Sequence, residues 1–189
     1  MLRFAWIGLI AMGCRADDVD KSGTDSGSDT GSTVDTVTDT QTDTQTDTQT
    51  DTGTPADPAD ALLGAWLSTG DDVSTVFGLF NIVQIDASFA DDGTYVVTSL
   101  DADGAAVEYT GTYVVDVTTT PAGIQLEQAT PSVATAVGIW QVESDVLTYE
   151  VVQTVPDFGF SPPTAATGFG TSAGPGLNPN DNVQVFRRP

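Results

Sequence analysis

The sequence predicts an all-β fold for residues 61–189, an eight-stranded antiparallel up-and-down β-barrel that follows a disordered linker. Three observations predict it. Apolar and polar residues alternate along most of this range, as they do in strands with one buried face. Short polar turns separate successive segments, and no long segment has the periodicity of an amphipathic helix. Sequential hairpins with one apolar face favour a meander, and closure into a barrel removes the exposed edges of that meander.

Eight segments have this strand pattern. The clearest runs from Val107 to Val117, where Val, Tyr and Gly at every second position alternate with mostly polar neighbours. Hairpin turns are predicted at 91–93 (Asp-Asp-Gly) and 143–145 (Glu-Ser-Asp). The predicted strands span residues 62–69, 82–90, 94–100, 105–117, 122–128, 136–143, 145–154 and 182–188. Eight strands enclose an interior that side chains can just fill, or that can hold one small ligand.

Loop lengths predict that the two ends of this barrel differ. In an up-and-down barrel, alternate loops lie at the same end. The second, fourth and sixth loops are short, whereas the first and seventh, near 70–81 and 155–181, are long. The sequence therefore predicts a closed base with short loops and a mouth that carries both long loops.

The first fourteen residues predict export and a lipid anchor. A positive start precedes an apolar run from Phe4 to Met12, which is too short to span a membrane and is typical of a signal peptide. The following stretch, Ala11-Met12-Gly13-Cys14, resembles the lipobox of bacterial lipoproteins. The resemblance implies that residues 1–13 are removed and that Cys14 is acylated. Because Arg15 rather than Asp follows the cysteine, it also implies the outer membrane. An ordinary secretory signal with an incidental cysteine is the alternative.

Residues 14–60 have the composition of a tether. They contain twelve Asp and no aromatic residue, and residues 38–52 repeat Thr-Asp-Thr-Gln with a period of four. Such a segment cannot bury enough apolar surface to offset its chain entropy, so we expect a disordered spacer. Loose calcium binding by the repeated acids and glycosylation of the threonines are the alternatives.

The start of the first strand resembles a known family. The tripeptide Gly64-Ala65-Trp66 matches the Gly-x-Trp signature of lipocalins and related calycins, and 89–95, Phe-Ala-Asp-Asp-Gly-Thr-Tyr, is similar to bacterial lipocalin-like domains. The resemblance implies that Trp66 closes the barrel base and that an arginine at the end of the last strand packs over it. Arg187 and Arg188 are the candidates. We favour Arg187 because it has the strand parity of the apolar residues at 183 and 185.

Aromatic residues in the two long loops are the candidate ligand contacts. In the first loop, Val73, Val76, Phe77 and Phe80 are spaced to share one face of a short helix, which would form either a lid over the mouth or a plug that belongs to the core. The seventh loop contains Phe158 among Gly, Pro and Ser, and a loop of this kind is functional or disordered. We take Phe77, Phe80 and Phe158 as ligand-binding candidates.

Composition excludes several classes of function. A net charge of −22 leaves no surface for nucleic-acid phosphates. Residues 61–189 contain no His, Lys or Cys, so we expect no enzyme, no cofactor and no metal site. Residues 101–108 faintly resemble a calcium loop, but a polar hairpin explains them better. The leading hypothesis is binding of a small apolar or amphipathic ligand in the barrel. The alternative is a noncatalytic structural or protein-interaction module of the cell envelope with a filled barrel, and a hydrolase that uses paired carboxylates is a distant third.

Overall fold

The computed structural model describes residues 57–189, and within that range eight strands close into one antiparallel barrel. Each strand pairs with its neighbours in sequence, and the last strand pairs with the first. The predicted fold class is confirmed, and the topology is consistent with the lipocalin-like barrel that the resemblance implied. The strands are β1 (Gly64–Thr69), β2 (Ile82–Phe89), β3 (Thr94–Asp101), β4 (Ala106–Asp116), β5 (Ala122–Thr130), β6 (Ala134–Glu143), β7 (Val146–Val155) and β8 (Gln184–Arg187). Every predicted strand bound lies within two residues of the observed one.

The predicted N-terminal segments fall almost entirely outside the described residues. The signal peptide (1–13), Cys14 and most of the expected tether (14–60) belong to that part of the chain. The structure describes a short 3₁₀ helix, Pro58–Leu62, immediately before β1. The Asp57 carboxylate accepts a hydrogen bond from the Ala59 backbone N–H at 3.0 Å and caps this turn. This helix includes residues 58–60, which were predicted to belong to the tether, and it ends at the fully buried Leu62.

The two ends of the barrel differ as the loop lengths predicted. The base, where β1 begins, has the short connections 90–93, 117–121 and 144–145. The mouth, where β1 ends, carries the long loops 70–81 and 156–183. Because β1 starts at the base, the chain enters the barrel at the end opposite the mouth.

Two glycines allow the strands to approach each other closely within the barrel wall. A Cβ atom at Gly111 would lie 2.1 Å from the Glu127 carbonyl oxygen, and one at Gly138 would lie 1.9 Å from the Glu150 carbonyl oxygen. No side chain can occupy those positions without a shift of the neighbouring backbone. Glycine in a strand interior commonly marks such a bend or close approach.

Trp66 closes the base. Its side chain is 1% exposed, and its indole N–H donates to the Leu62 carbonyl oxygen at 2.7 Å. The guanidinium of Arg188 covers the ring, and its N–H groups donate to the carbonyl oxygens of Leu63 at 2.7 Å, Ala61 at 3.0 Å and Ala65 at 3.3 Å. The arrangement that the family resemblance implied is therefore present, with Arg188 as the arginine.

The preference for Arg187 was wrong. Arg187 points away from the base and forms an ion pair with Asp72, with 2.7 Å between Nε and the carboxylate oxygen. The reason is the inward face of β8, which consists of the buried residues Gln184 and Phe186 rather than the valines at 183 and 185. Arg188 continues that inward parity and so reaches Trp66.

The first loop folds down over the mouth. It contains a 3₁₀ turn, Gly70–Asp72, and a single α-helical turn, α1 (Thr75–Gly78). Val76 and Phe77 are buried. The Ser74 N–H donates to the Gln184 side-chain oxygen at 2.9 Å, and the Val76 N–H donates to the Asp181 carbonyl oxygen at 3.0 Å. The short helix therefore covers the mouth and also buries apolar surface there.

The seventh loop is ordered and packs against the outer face of β7. Glu150 is 1% exposed, and its carboxylate accepts hydrogen bonds from the backbone N–H groups of Gly170 at 2.6 Å and Ser172 at 2.9 Å. Within the loop, Ser161 and Ala173 form an antiparallel bridge. A buried carboxylate needs such donors because leaving water is costly for a charged group. Glu150 therefore fastens the loop to the barrel wall.

Candidate functional site

A mostly apolar cavity lies inside the barrel beneath α1. Its volume is about 60 Å³, several times the ~10–15 Å³ needed for one water molecule. The cavity extends from the layer of Phe89 and Tyr95, toward the base, up to the mouth. Its apolar and aromatic lining consists of Phe77, Ile85, Ala87, Phe89, Tyr95, Val97, Leu126, Ala134, Ala136, Tyr149, Val151 and Phe186.

The cavity exists because several inward positions have small side chains. Ala87, Ala134 and Ala136 all line it, and an alanine side chain extends only one carbon into the interior. Ala136 pairs with Leu126 on β5 and with Gln153 on β7. The small side chains therefore leave a mostly apolar space in the interior.

The lower part of the cavity is aromatic and uncharged. The rings of Phe89 and Tyr113 meet edge to face at 5.2 Å, and those of Tyr149 and Phe186 do so at 6.2 Å. Burial, together with the charge of Glu127, raises the pKa of Tyr95 to about 12. Burial raises the pKa of Tyr149 well above its ordinary value, although part of its surface faces the cavity. Both phenols are therefore neutral at physiological pH.

Four buried amide side chains line the cavity toward the mouth: Gln128, Gln153, Asn182 and Gln184. The Gln128 amide donates to the Ser132 carbonyl oxygen at 2.8 Å, and the Gln153 amide donates to the Pro156 carbonyl oxygen at 3.0 Å. The Asn182 amide donates to the Val151 carbonyl oxygen at 2.7 Å.

Gln184 has a structural role among these four. Its amide nitrogen donates to the Ser68 hydroxyl and to the Asp72 carbonyl oxygen, and its oxygen accepts the Ser74 N–H. These bonds join β8, β1 and the first loop, so Gln184 holds the residues that precede α1 against the wall.

Only one of the three predicted ligand contacts lines the cavity. Phe77 lies on α1 and faces the interior, 9% exposed. Phe80 and Phe158 are 39% and 41% exposed and are absent from the cavity lining, so their contact with a ligand at the mouth stays a prediction. Phe80 follows the helical turn rather than continuing its buried face, and Phe158 lies in the seventh loop, which packs outside the wall.

Sequence reasoning missed the amides and the alanines. A usable signal was present for two amides, because Gln128 and Gln153 continue the inward parity of the apolar residues before them on β5 and β7. Alanine gives no comparable signal, since it occurs on either face of a strand.

No cation of residues 57–189 faces the cavity. This range contains only Arg187 and Arg188, and Arg187 pairs with Asp72 while Arg188 covers Trp66. Over the same residues, no group of three or more metal-ligating side chains could hold an ion. The Asp101 carboxylate accepts from the backbone N–H groups of Asp103 and Ala105, so the faintly calcium-like segment forms a polar hairpin turn.

Comparisons with protein-family models, curated proteins and solved structures found no match to this chain. Among the described residues, no helix has the length and apolar character needed to cross a membrane.

Proposed function

We propose that the barrel binds a slender apolar or amphipathic molecule, with its apolar part among the alanines and aromatic rings and its polar end at the mouth. The apolar cavity beneath α1 is the observation that supports this function. Each Å² of apolar surface removed from water contributes roughly 25 cal/mol, so even a short hydrocarbon chain would gain substantially.

The size of the cavity favours a narrow ligand. An engineered cavity of roughly 150 Å³ in another protein accepts benzene, and the free space here is about 60 Å³. A larger occupant needs Phe77 to move outward. Because α1 is a single turn, and its Val76 N–H bonds to the Asp181 carbonyl oxygen of the seventh loop rather than to a strand, Phe77 can move outward without breaking the strand pairing of the barrel.

The proposal for the whole chain is a noncatalytic lipoprotein of the cell envelope, anchored to the outer membrane through Cys14. The lipobox-like sequence supports the anchor and Arg15 supports the outer membrane. Because the chain enters the barrel at its base, the tether would present the mouth away from the bilayer. Mass spectrometry of the mature chain tests the anchor: an acylated Cys14 at the N-terminus is expected, and an unmodified thiol would contradict it.

Calorimetric titration of octanol into the purified chain carrying Cys14→Ser tests binding without interference from an attached acyl chain. We expect saturable binding at one site. The variant Ala136→Phe fills the cavity and should abolish the signal, whereas Val114→Phe adds the same side chain on the exposed outer face of β4 and should leave it unchanged. If octanol binds neither the Cys14→Ser chain nor the Val114→Phe control, the binding function is wrong.

A filled barrel that recognises an envelope protein is the second candidate. Several large apolar side chains at the mouth are exposed, including Leu79 at 76% and Val133 at 79%. Exposed apolar surface of this kind can mark a protein contact. Absence of octanol binding, together with a crosslink to one defined envelope protein that Leu79→Ser and Val133→Ser remove, would favour this candidate.

A further inference from the structure

The amide groups at the mouth have a fixed orientation. Gln128, Gln153 and Asn182 each direct the side-chain nitrogen to a backbone carbonyl oxygen. A carbonyl oxygen accepts hydrogen bonds and donates none, so the amide nitrogen must face it. The side-chain oxygen of each residue is consequently turned away from that backbone partner.

These three amide oxygens have no hydrogen-bond donor among the described residues. The side chains that carry them are only 5–6% exposed and line the cavity. Within residues 57–189, the buried side-chain polar atoms without a hydrogen-bond partner are the hydroxyls of Ser74, Ser99 and Tyr109. The amide oxygens are not among these, so each keeps some accessible surface, and the side chains that carry them line the cavity. The mouth therefore presents hydrogen-bond acceptors to whatever occupies it.

The charges of the folded part also disfavour an anionic group at the mouth. Residues 61–189 contain eleven Asp and four Glu against two arginines, and both arginines are engaged elsewhere. A carboxylate or phosphate at the mouth would face acceptor oxygens in an acidic domain, without a counter-ion. A hydroxyl or an ammonium group would instead supply the donor that the amide oxygens lack.

We infer that the ligand of this barrel is an amphiphile whose polar end donates hydrogen bonds and has no negative charge, such as an alcohol or an amine on a hydrocarbon chain. This inference rests on the proposed binding function, and it assigns Gln128, Gln153 and Asn182 as the residues that select the polar end.

Two matched ligand pairs test the inference on the Cys14→Ser chain. Octanol and heptyl methyl ether are isomers that differ in the presence of a donor, and octylamine and octanoate share a chain length but have opposite charge. We expect octanol to bind about tenfold more tightly than the ether, as one net hydrogen bond of about 1.4 kcal/mol would give. We expect octylamine to bind at least about tenfold more tightly than octanoate, for a similar difference in free energy.

Variants test whether the amide side chains distinguish octanol from the ether. Gln128→Leu combined with Gln153→Leu should bring octanol and the ether to similar affinities, whereas Gln125→Leu, on the exposed face of β5, should preserve the difference. Equal binding of octanol and the ether to the Cys14→Ser chain, or octanoate binding as well as octylamine, would overturn the inference while leaving the binding function intact. Failure of all four ligands to bind would instead overturn the binding function itself.

Discussion

The guanidinium carbon of Arg188 lies 3.7 Å from the centroid of the Trp66 indole ring. Because Trp66 belongs to β1 and Arg188 directly follows β8, this contact joins the first and last strands at the base of the barrel. Arg188 also donates to the carbonyl oxygens of Ala61 and Leu63, in the segment that leads into β1, and to that of Ala65 in β1. One side chain thus completes both the closure of the barrel and the attachment of the chain that enters it.

Removal of this contact should destabilise the protein more than removal of the neighbouring arginine. Arg188→Ala loses a cation–π contact and charge-assisted hydrogen bonds, and we expect it to lower the free energy of unfolding by about 1–3 kcal/mol. Arg187→Ala loses an exposed ion pair and should change stability little. Urea denaturation of both variants measures the difference. A larger loss in Arg187→Ala would show that the base is held by other contacts.

Gly64 should tolerate no side chain. Its φ is +95°, and a Cβ atom would lie 2.9 Å from an Arg188 guanidinium nitrogen. Gly64→Ala should therefore lower the free energy of unfolding by about 1–3 kcal/mol through backbone strain, in addition to any displacement of Arg188. Gly78→Ala is the matched control, because its Cβ would meet no atom within 4 Å and its φ is not positive. Equal stability of the two variants in urea would refute the requirement for glycine at residue 64.

Glu150 should control the order of the seventh loop. Glu150→Gln removes the charge that accepts the Gly170 and Ser172 N–H groups, and we expect a loss of about 1–3 kcal/mol together with faster cleavage in 156–181. Limited proteolysis and amide hydrogen exchange measure the change. Glu143→Gln, on an exposed carboxylate at the end of β6, should leave the loop protected. Unchanged exchange at Gly170 and Ser172 in Glu150→Gln would show that other contacts hold the loop.

The tyrosines should make the protein less stable in alkali. Burial raises the pKa of all four, and that of Tyr95 to about 12, so the folded state keeps their protons where the unfolded chain loses them. Their contribution to stability is complete below the unfolded pKa of about 10 and is lost as pH rises through the folded values. We expect the free energy of unfolding to fall between pH 10 and about 12, with a smaller decrease in Tyr95→Phe. Tyrosinate absorbance that rises already near pH 10 in the folded chain would contradict the raised pKa values.

The strands could be predicted because successive side chains of a strand point to opposite faces of the sheet. Seven of the eight strands are long enough to show this alternation of apolar and polar residues. The short β8 was not predictable in its orientation. Its inward Gln184 is satisfied by Ser68, Asp72 and Ser74, which are more than 100 residues away in sequence, so local pattern favoured the valines instead. That misassignment of the inward face led directly to the choice of Arg187.

The candidate site was only partly predictable from the sequence. Phe77 was identified as a candidate because it is an aromatic residue in a long loop at the mouth, where a short helix could cover the interior. The cavity itself depends on alanines of two strands that are distant in sequence, Ala87 of β2 and Ala134 and Ala136 of β6, and no short sequence window contains both. Among the buried amides, Gln128 and Gln153 continue the inward parity of their strands, but a polar residue near a strand end also resembles the beginning of a turn.

The most direct test of a hollow, ligand-binding barrel is to map bound octanol by nuclear magnetic resonance on the Cys14→Ser chain. The methyl groups of Ala87, Ala134 and Ala136 line the cavity, whereas Leu79 and Val133 lie exposed at the mouth. We expect saturable shifts of the three alanine methyl signals, with magnetisation transfer to them from the octanol chain. Shifts confined to Leu79 and Val133, or no saturable shift at all, would mean that the interior takes no ligand.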